Sequence, residues 1–214
     1  MTIKRTKRST QKQFLKDNPN LNILDLGCAI DSRWNEANHF ADIFDFNKYF
    51  KNKNLKFTKI ERNKKLPFED KQFDYVILSH VLEHVGDPIE FIKEVQRIGK
   101  AGYIELPTRF NDSIVIGNEG EFGHKWWFEF DDDKYELLFS ERINPIQKFI
   151  SVGTVFKLME IFKDSFIIQL YWQESISIKK IDNKILDEKI SFFSLIKKFY
   201  SKKIRSLILK SKNQ

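Results

Sequence analysis

The sequence predicts an α/β fold, a three-layer sandwich built around a mostly parallel sheet. Three observations carry this. Short apolar runs recur at 22–27, 40–46, 55–60, 73–79 and 102–106. Helix-length segments lie between strands in the spacing of βαβ units. The first run ends in a glycine turn, Asp25-Leu26-Gly27-Cys28-Ala29, which brings backbone close to a ligand at the carboxyl edge of a sheet. The 214 residues are 41% hydrophobic and 31% charged, the composition of a folded domain with extensions rather than of a disordered chain.

Each element has its own signal. Residues 22–27 (NILDLG) form an apolar run of the kind that is buried on both sheet faces. Residues 40–46 and the alternating 55–60 follow as strands, and 73–79 (FDYVILS) is the most apolar of the set. From His80 to Ile98 apolar residues recur at helical spacing, with Pro88 marking a break or restart in the first turns. Residues 102–106, closed by Pro107, read as a fifth strand, and 107–133 as an irregular stretch rich in aromatic and charged residues. Asn144-Pro145 has the N-cap and first-turn pattern of a helix running to about Phe162. Residues 165–172 and 174–179 are two β runs one residue apart, expected to form a hairpin at a sheet edge. Residues 183–210 read as helix.

Charge divides the chain. Residues 1–16 hold six Lys/Arg and no acid, and 189–214 hold eight and no acid. The body, 17–188, has 23 basic and 30 acidic residues. An acidic body is not the charge pattern of a nucleic-acid enzyme. The expected organisation is therefore a basic extension at 1–19, a domain at 20–182 and a basic amphipathic helix at 183–214. That last helix, with Phe and Leu on one face and Lys on the other, suits an anionic membrane surface. The single Cys28 excludes an internal disulfide framework. No apolar run is long enough to span a bilayer, and the basic start has no apolar stretch of the secretory type. A cytoplasmic setting, peripheral to the inner face of a membrane, is the expectation.

The glycine turn, with Asp45 eighteen residues beyond Gly27 to take ribose hydroxyls, fits a Rossmann-like nucleotide site. The run ILDLGCA, followed by LPFEDKQFDYVILSHVLEHVGDP, resembles the class I S-adenosylmethionine-dependent methyltransferases of the small-molecule type. The resemblance covers roughly residues 20–107. It implies seven strands with the last antiparallel. It also implies S-adenosylmethionine as cofactor, cradled by Asp25, Gly27, Cys28 and Ala29. Asp45 and Phe46 would face its ribose, Asn63 its adenine, and Ser79 and His80 its methionine end. Two positions depart from the family pattern: Asp31 stands in place of the last glycine, and Arg62 in place of an adenine-contacting acid.

Beyond the cofactor, His124 in Glu121-Phe122-Gly123-His124-Lys125-Trp126-Trp127-Phe128 is the candidate general base, because it follows the fifth strand on the acceptor side of such sheets. Trp126, Trp127 and Phe128 would wall an acceptor pocket or cap the core. Glu105, at the end of the fifth strand, is the second catalytic candidate. His80-Val-Leu-Glu83-His84 matches a zinc-peptidase pattern, H-x-x-E-H, but that reading leaves ILDLGCA unexplained. Some methyltransferases of this fold have a similar segment, E-x-x-E-H, which with a later His holds a divalent ion at the acceptor hydroxyls. By that resemblance His80, Glu83, His84 and His124 would be the ligands. The reading adopted from sequence is the other one: LEH as a helix start with His84 packed under the sheet, and no metal. The expected function is O-methylation of a small-molecule, glycan or lipid-linked acceptor. The alternatives are an RNA methyltransferase, suggested by the basic ends, and a non-catalytic cofactor-binding module, suggested by Asp31 and Arg62.

Overall fold

The structure is a computed structural model that describes residues 2–30, 32–114, 122–142 and 166–182. Its elements in chain order are β1 (Thr2–Arg5), α1 (Arg8–Asp17), β2 (Ile23–Leu26), β3 (His39–Asp42), α2 (Asn47–Asn52), β4 (Lys56–Lys59), β5 (Phe73–Ser79), α3 (Pro88–Ile98), β6 (Gly99–Pro107), α4 (Arg109–Ile114), β7 (Trp126–Asp131), β8 (Glu136–Glu141), β9 (Ile167–Gln173) and β10 (Ile178–Lys180).

Seven strands form one sheet in the order β1-β9-β6-β5-β2-β3-β4. β6, β5, β2, β3 and β4 run parallel to one another. β9 is antiparallel to β6, and β1 is antiparallel to β9. The fold is therefore the expected Rossmann-like sandwich, with its antiparallel pair at one edge. The second strand beside β9 is not the run at 174–179, which makes only an isolated bridge, Ser175 with Gln173. It is β1, from the segment read in sequence as a basic extension. β10 instead pairs parallel with β8 in a second sheet, β10-β8-β7.

Side-chain alternation in the strands builds the layers. Leu24, Leu26, Val76, Leu78, Ile104 and Leu106 bury into one apolar cluster with Ile92, Val95 and Ile98 of α3. Ile23, Tyr75, Ile77 and Tyr103 bury into the other, with Leu15 of α1, Trp34 and Phe50 of α2. In β6 the chain passes so close to β5 that a Cβ on Gly102 would lie 2.1 Å from the Val76 carbonyl oxygen.

Two local expectations change. The helix after β5 does not start at His80. Residues 82–84 form a single 3₁₀ turn, and α3 begins at Pro88, with the Asp87 carboxylate accepting from the Ile89 and Glu90 amides. Proline has no amide to lose at a first helical position, so the break falls there. The stretch 107–133 is not irregular throughout, since α4 and β7 lie within it. In β7, Trp126, Phe128 and Phe130 pack on the core from one face, while on the other face Trp127 is buried and Glu129 is exposed. The 145–162 helix and the C-terminal amphipathic helix lie outside the described residues.

Candidate active site

β2, β5 and β6 end side by side, and the chain turns sharply after two of them. Gly27 sits at φ +78° and Ala29 at +50°, with His80 at +59° just beyond β5. A Cβ on Gly27 would lie 2.5 Å from Val81 Cγ2, so two separate constraints favour glycine there. The turn is tied down by Gly27 and Cys28 amides donating to Ala41 O, and by the Ala29 amide donating to Asp42 Oδ2 at 3.0 Å.

A cavity of about 320 Å³ opens at this end of the sheet, in the size range of small-molecule sites. It is lined by the Asp25–Ala29 turn and by Ser32–Trp34, by Ser79 and His80, and by Arg8 of α1. Of the nine residues expected around a cofactor, the structure thus gathers Asp25, Gly27, Cys28, Ala29, Ser79 and His80. Asp45, Phe46 and Asn63 are not part of this lining. Asp45 is exposed past β3, where its Oδ1 accepts from the Asn47 amide and lowers its own pKa. Phe46 packs on the second core cluster, and Asn63 lies against Gly86. Asp31 is outside the described residues. Arg62 stacks on the Phe122 ring at 4.8 Å.

Buried charges line the floor. Asp25 is 2% exposed, and burial pushes its carboxyl up to about 7, partly offset by the Ser32 hydroxyl that donates to it. Burial likewise pushes the Cys28 thiol well above its usual range, so it is not a nucleophile. The Trp34 indole N–H is buried with no hydrogen-bond partner among the described residues.

Glu105, a catalytic candidate from sequence, is 1% exposed and saturated with donors. Arg8 pairs with both its oxygens, and the Tyr103 hydroxyl, Gln169 Nε2 (2.5 Å) and His80 Nε2 (3.3 Å) complete the set. Burial alone would raise its pKa, but His80, Arg8 and Tyr103 hold it well below the usual carboxylate range. Such a carboxylate cannot take a proton from an acceptor. It anchors Arg8 and His80 at the cavity wall. Burial works against charge on His80, yet hydrogen bonds to Glu105 and Glu83 outweigh it and raise the ring to about 9.

His80 also links the cavity to a second cluster. Its Nδ1 lies 3.2 Å from Oε1 of Glu83, which is fully buried in the turn after β5. The other Glu83 oxygen has no partner among the described residues. Ligand atoms of Glu83, His84 and His124 lie within 4.8 Å of one another. His84 Nδ1 is 3.3 Å from the Gly123 carbonyl, and His124 Nδ1 is 2.5 Å from Asp112 Oδ1. β7 is held over this turn by the Trp126 indole donating to Val85 O and by the Lys125 amide donating to Glu83 O. Trp126 and Phe128 therefore pack on the core, and Trp127 is buried under Arg109. His80 does not belong to the three-ligand group.

Sequence reasoning did not place Arg8, Ser32 or Trp34 at the cavity. Arg8 sits in a segment whose only strongly buried apolar side chain within the helix is Leu15, so its polar periodicity reads as a tail. Asp112 was missed because its partners, His124 and Arg142, are far along the chain.

Residues 2–144 match the family described as "Methyltransferase domain". No curated protein matches the chain. Among solved structures it is similar to a SAM-dependent methyltransferase from Thermotoga maritima, at 18% identity over 47% of this chain and 52% of that one, TM-score 0.39. It is similar to a SAM-dependent methyltransferase from Archaeoglobus fulgidus, at 15% identity over 78% and 95%, TM-score 0.39. A protein from Pyrococcus horikoshii gives 17% identity over 78% and 92%, TM-score 0.43. The chain spans about half the length of the Thermotoga protein. With two-thirds of its residues inside the family match, the chain belongs to the methyltransferase-domain family, the class I S-adenosylmethionine-dependent methyltransferases.

Proposed function

We propose that this protein binds S-adenosylmethionine in the cavity beside the Asp25–Ala29 turn and methylates an oxygen of a small-molecule, glycan or lipid-linked acceptor. The observation that carries the reading is the cavity itself, formed where β2 and β5 end in left-handed turns and lined by an acid and two arginines. The donor set fits an amino-acid moiety. Asp25 would take an ammonium, Arg8 and Arg33 would take a carboxylate, and the unpartnered Trp34 indole N–H has a donor to give. When bound, the cofactor supplies an electrophilic methyl on sulfonium. The chain's own part is alignment and exclusion of water, which carries most of such a reaction. His124 takes the proton of the acceptor hydroxyl at Nε2, the nitrogen turned away from Asp112. Asp45 would hold the ribose only where the cofactor extends out of the described lining.

Calorimetric titration with S-adenosylmethionine and S-adenosylhomocysteine tests the cofactor site. Dissociation constants on the order of micromolar are expected, about 8 kcal/mol of binding. Arg8→Ala and Asp25→Asn should weaken binding at least tenfold, and Asp45→Ala should weaken it to the extent that the ribose reaches that edge. No binding by the intact protein overturns the assignment.

One observation favours a second reading of the acceptor side. Ligand atoms of Glu83, His84 and His124 lie within 4.8 Å of one another, one Glu83 oxygen has no partner among the described residues, and the Nδ1 atoms of both histidines are engaged. Two imidazoles and a carboxylate with occupied outer nitrogens are a donor set for a divalent cation. A cation held by Glu83, His84 and His124 would lower the pKa of an acceptor hydroxyl. Titration of chelator-treated protein with Mn²⁺ and Zn²⁺, against Glu83→Gln, separates this from the base-only reading.

A further inference from the structure

We infer that Asp112 is a positioning residue that fixes His124 as the Nδ1–H tautomer and turns its Nε2 lone pair into the acceptor side of the site. The inference deepens the reading above, in which His124 serves that site. A carboxylate accepts and cannot donate, so the 2.5 Å contact between Asp112 Oδ1 and His124 Nδ1 requires the proton on Nδ1. The other Asp112 oxygen accepts from Arg142 Nε at 2.6 Å. Asp112 is 1% exposed, and the Arg142 side chain is 6% exposed. Arg142 and the imidazole thus share the buried Asp112 carboxylate, one on each oxygen.

Three elements converge to hold the arrangement. Asp112 is fixed in the first turn of α4, where its amide donates to Thr108 O at 2.9 Å. Arg142 follows β8, and its amide donates to Lys125 O at 2.9 Å, one residue from His124. The His84 ring packs edge-to-face on His124 with centroids 4.7 Å apart, which fixes the plane of the ring. His84 Nδ1 faces a carbonyl, so its proton is on Nδ1 by the same logic. With Nδ1 of each ring engaged, Nε2 is left as the lone-pair atom of both imidazoles, and ligand atoms of His84, His124 and Glu83 lie within 4.8 Å of one another.

The test is ¹⁵N nuclear magnetic resonance of the histidine rings in chelator-treated, full-length protein at pH 8. His124 is assigned by its loss in His124→Gln. The wild type should show an unprotonated Nε2 and a protonated Nδ1 for His124. In Asp112→Asn the amide can donate as well as accept, so the ring should shift to the opposite tautomer or to a mixture. Asp112→Glu should restore the wild-type pattern in part. A proton on Nε2 in the wild type overturns the inference without any variant, so a failure of Asp112→Asn to fold does not protect it. An unchanged tautomer in folded Asp112→Asn overturns it as well. A Co²⁺ titration then asks which reading the lone pair serves. Binding weakened about 10- to 100-fold in Asp112→Asn supports the inference through the cation reading. A wild type that binds no Co²⁺ removes the cation reading, and the tautomer result alone then upholds or overturns the role of Asp112.

Discussion

Asp25 shows what a buried carboxyl does to the whole molecule. Its pKa rises from an ordinary 3.8 to about 7 through burial, with Asp42 adding to the effect and the Ser32 hydroxyl opposing it. Between those two pH values the folded state holds a proton that the unfolded chain has released. Stability therefore falls as pH rises from about 4 to about 7 and levels off above, by about 4 kcal/mol for an isolated group. Asp25→Asn keeps the shape and removes the ionisation. The difference in unfolding free energy between variant and wild type should grow from about pH 4 to about pH 7 and level off above. A difference that stays flat with pH would show that Asp25 ionises freely. Under the proposed function, the methionine ammonium of a bound cofactor would supply Asp25 with a charged partner at the cavity. Asp25, Gly27 and Ala29 were readable in sequence because a strand-end glycine turn is local. Glu105 was readable as a polar residue at a strand end, but its role was not, since its donors come from positions 8, 80, 103 and 169.

Elements set by local chemistry follow the sequence closely. β5 spans 73–79 as its apolar run predicts, and α3 starts at Pro88 behind an Asp cap. Asp87→Ala should cost about 1 kcal/mol in urea unfolding, because two amides of the first turn lose their acceptor. Elements that depend on distant partners were not readable. α1 buries only Leu15 and Gln11, and much of its hold is polar: Gln11 accepts from the Tyr75 hydroxyl at 2.6 Å, and Arg8 pairs with Glu105. β7 was hidden because adjacent tryptophans blur a period of two, and its partner strand β8 was needed to define it. Arg8→Met tests the reach of α1. It leaves Glu105 buried with His80, Tyr103 and Gln169 but without its bidentate cation, and a loss of about 3 kcal/mol is expected. The same variant should weaken cofactor binding. A variant with unchanged stability would mean that His80 alone compensates Glu105.

At the scale of the whole molecule, the basic start of the chain belongs to the methyltransferase fold. Ile3 of β1 and Leu15 of α1 are each 1% exposed. β1 pairs along β9 from Thr2–Gln173 to Arg5–Leu170, and Arg5 reaches Asp132 beyond β7 with both carboxylate oxygens in range. Removing residues 1–18 would strip the outer strand from β9, expose a row of unpaired backbone groups, uncover the face that holds Tyr75, and delete Arg8 from the cavity. An exposed edge of this kind invites association with other chains. A solvated tail would come off without effect. The fold predicts instead that the truncated protein unfolds more than 10 °C below the full chain, since a loss of a few kcal/mol moves a domain of this size by roughly 2–4 °C per kcal/mol. It also predicts aggregation at concentrations where the full chain stays monodisperse, and no detectable S-adenosylmethionine binding. Differential scanning calorimetry and light scattering on the two proteins decide it. A truncated protein that melts within 2 °C of the full chain would return residues 1–18 to the status of an extension and detach Arg8 from the site.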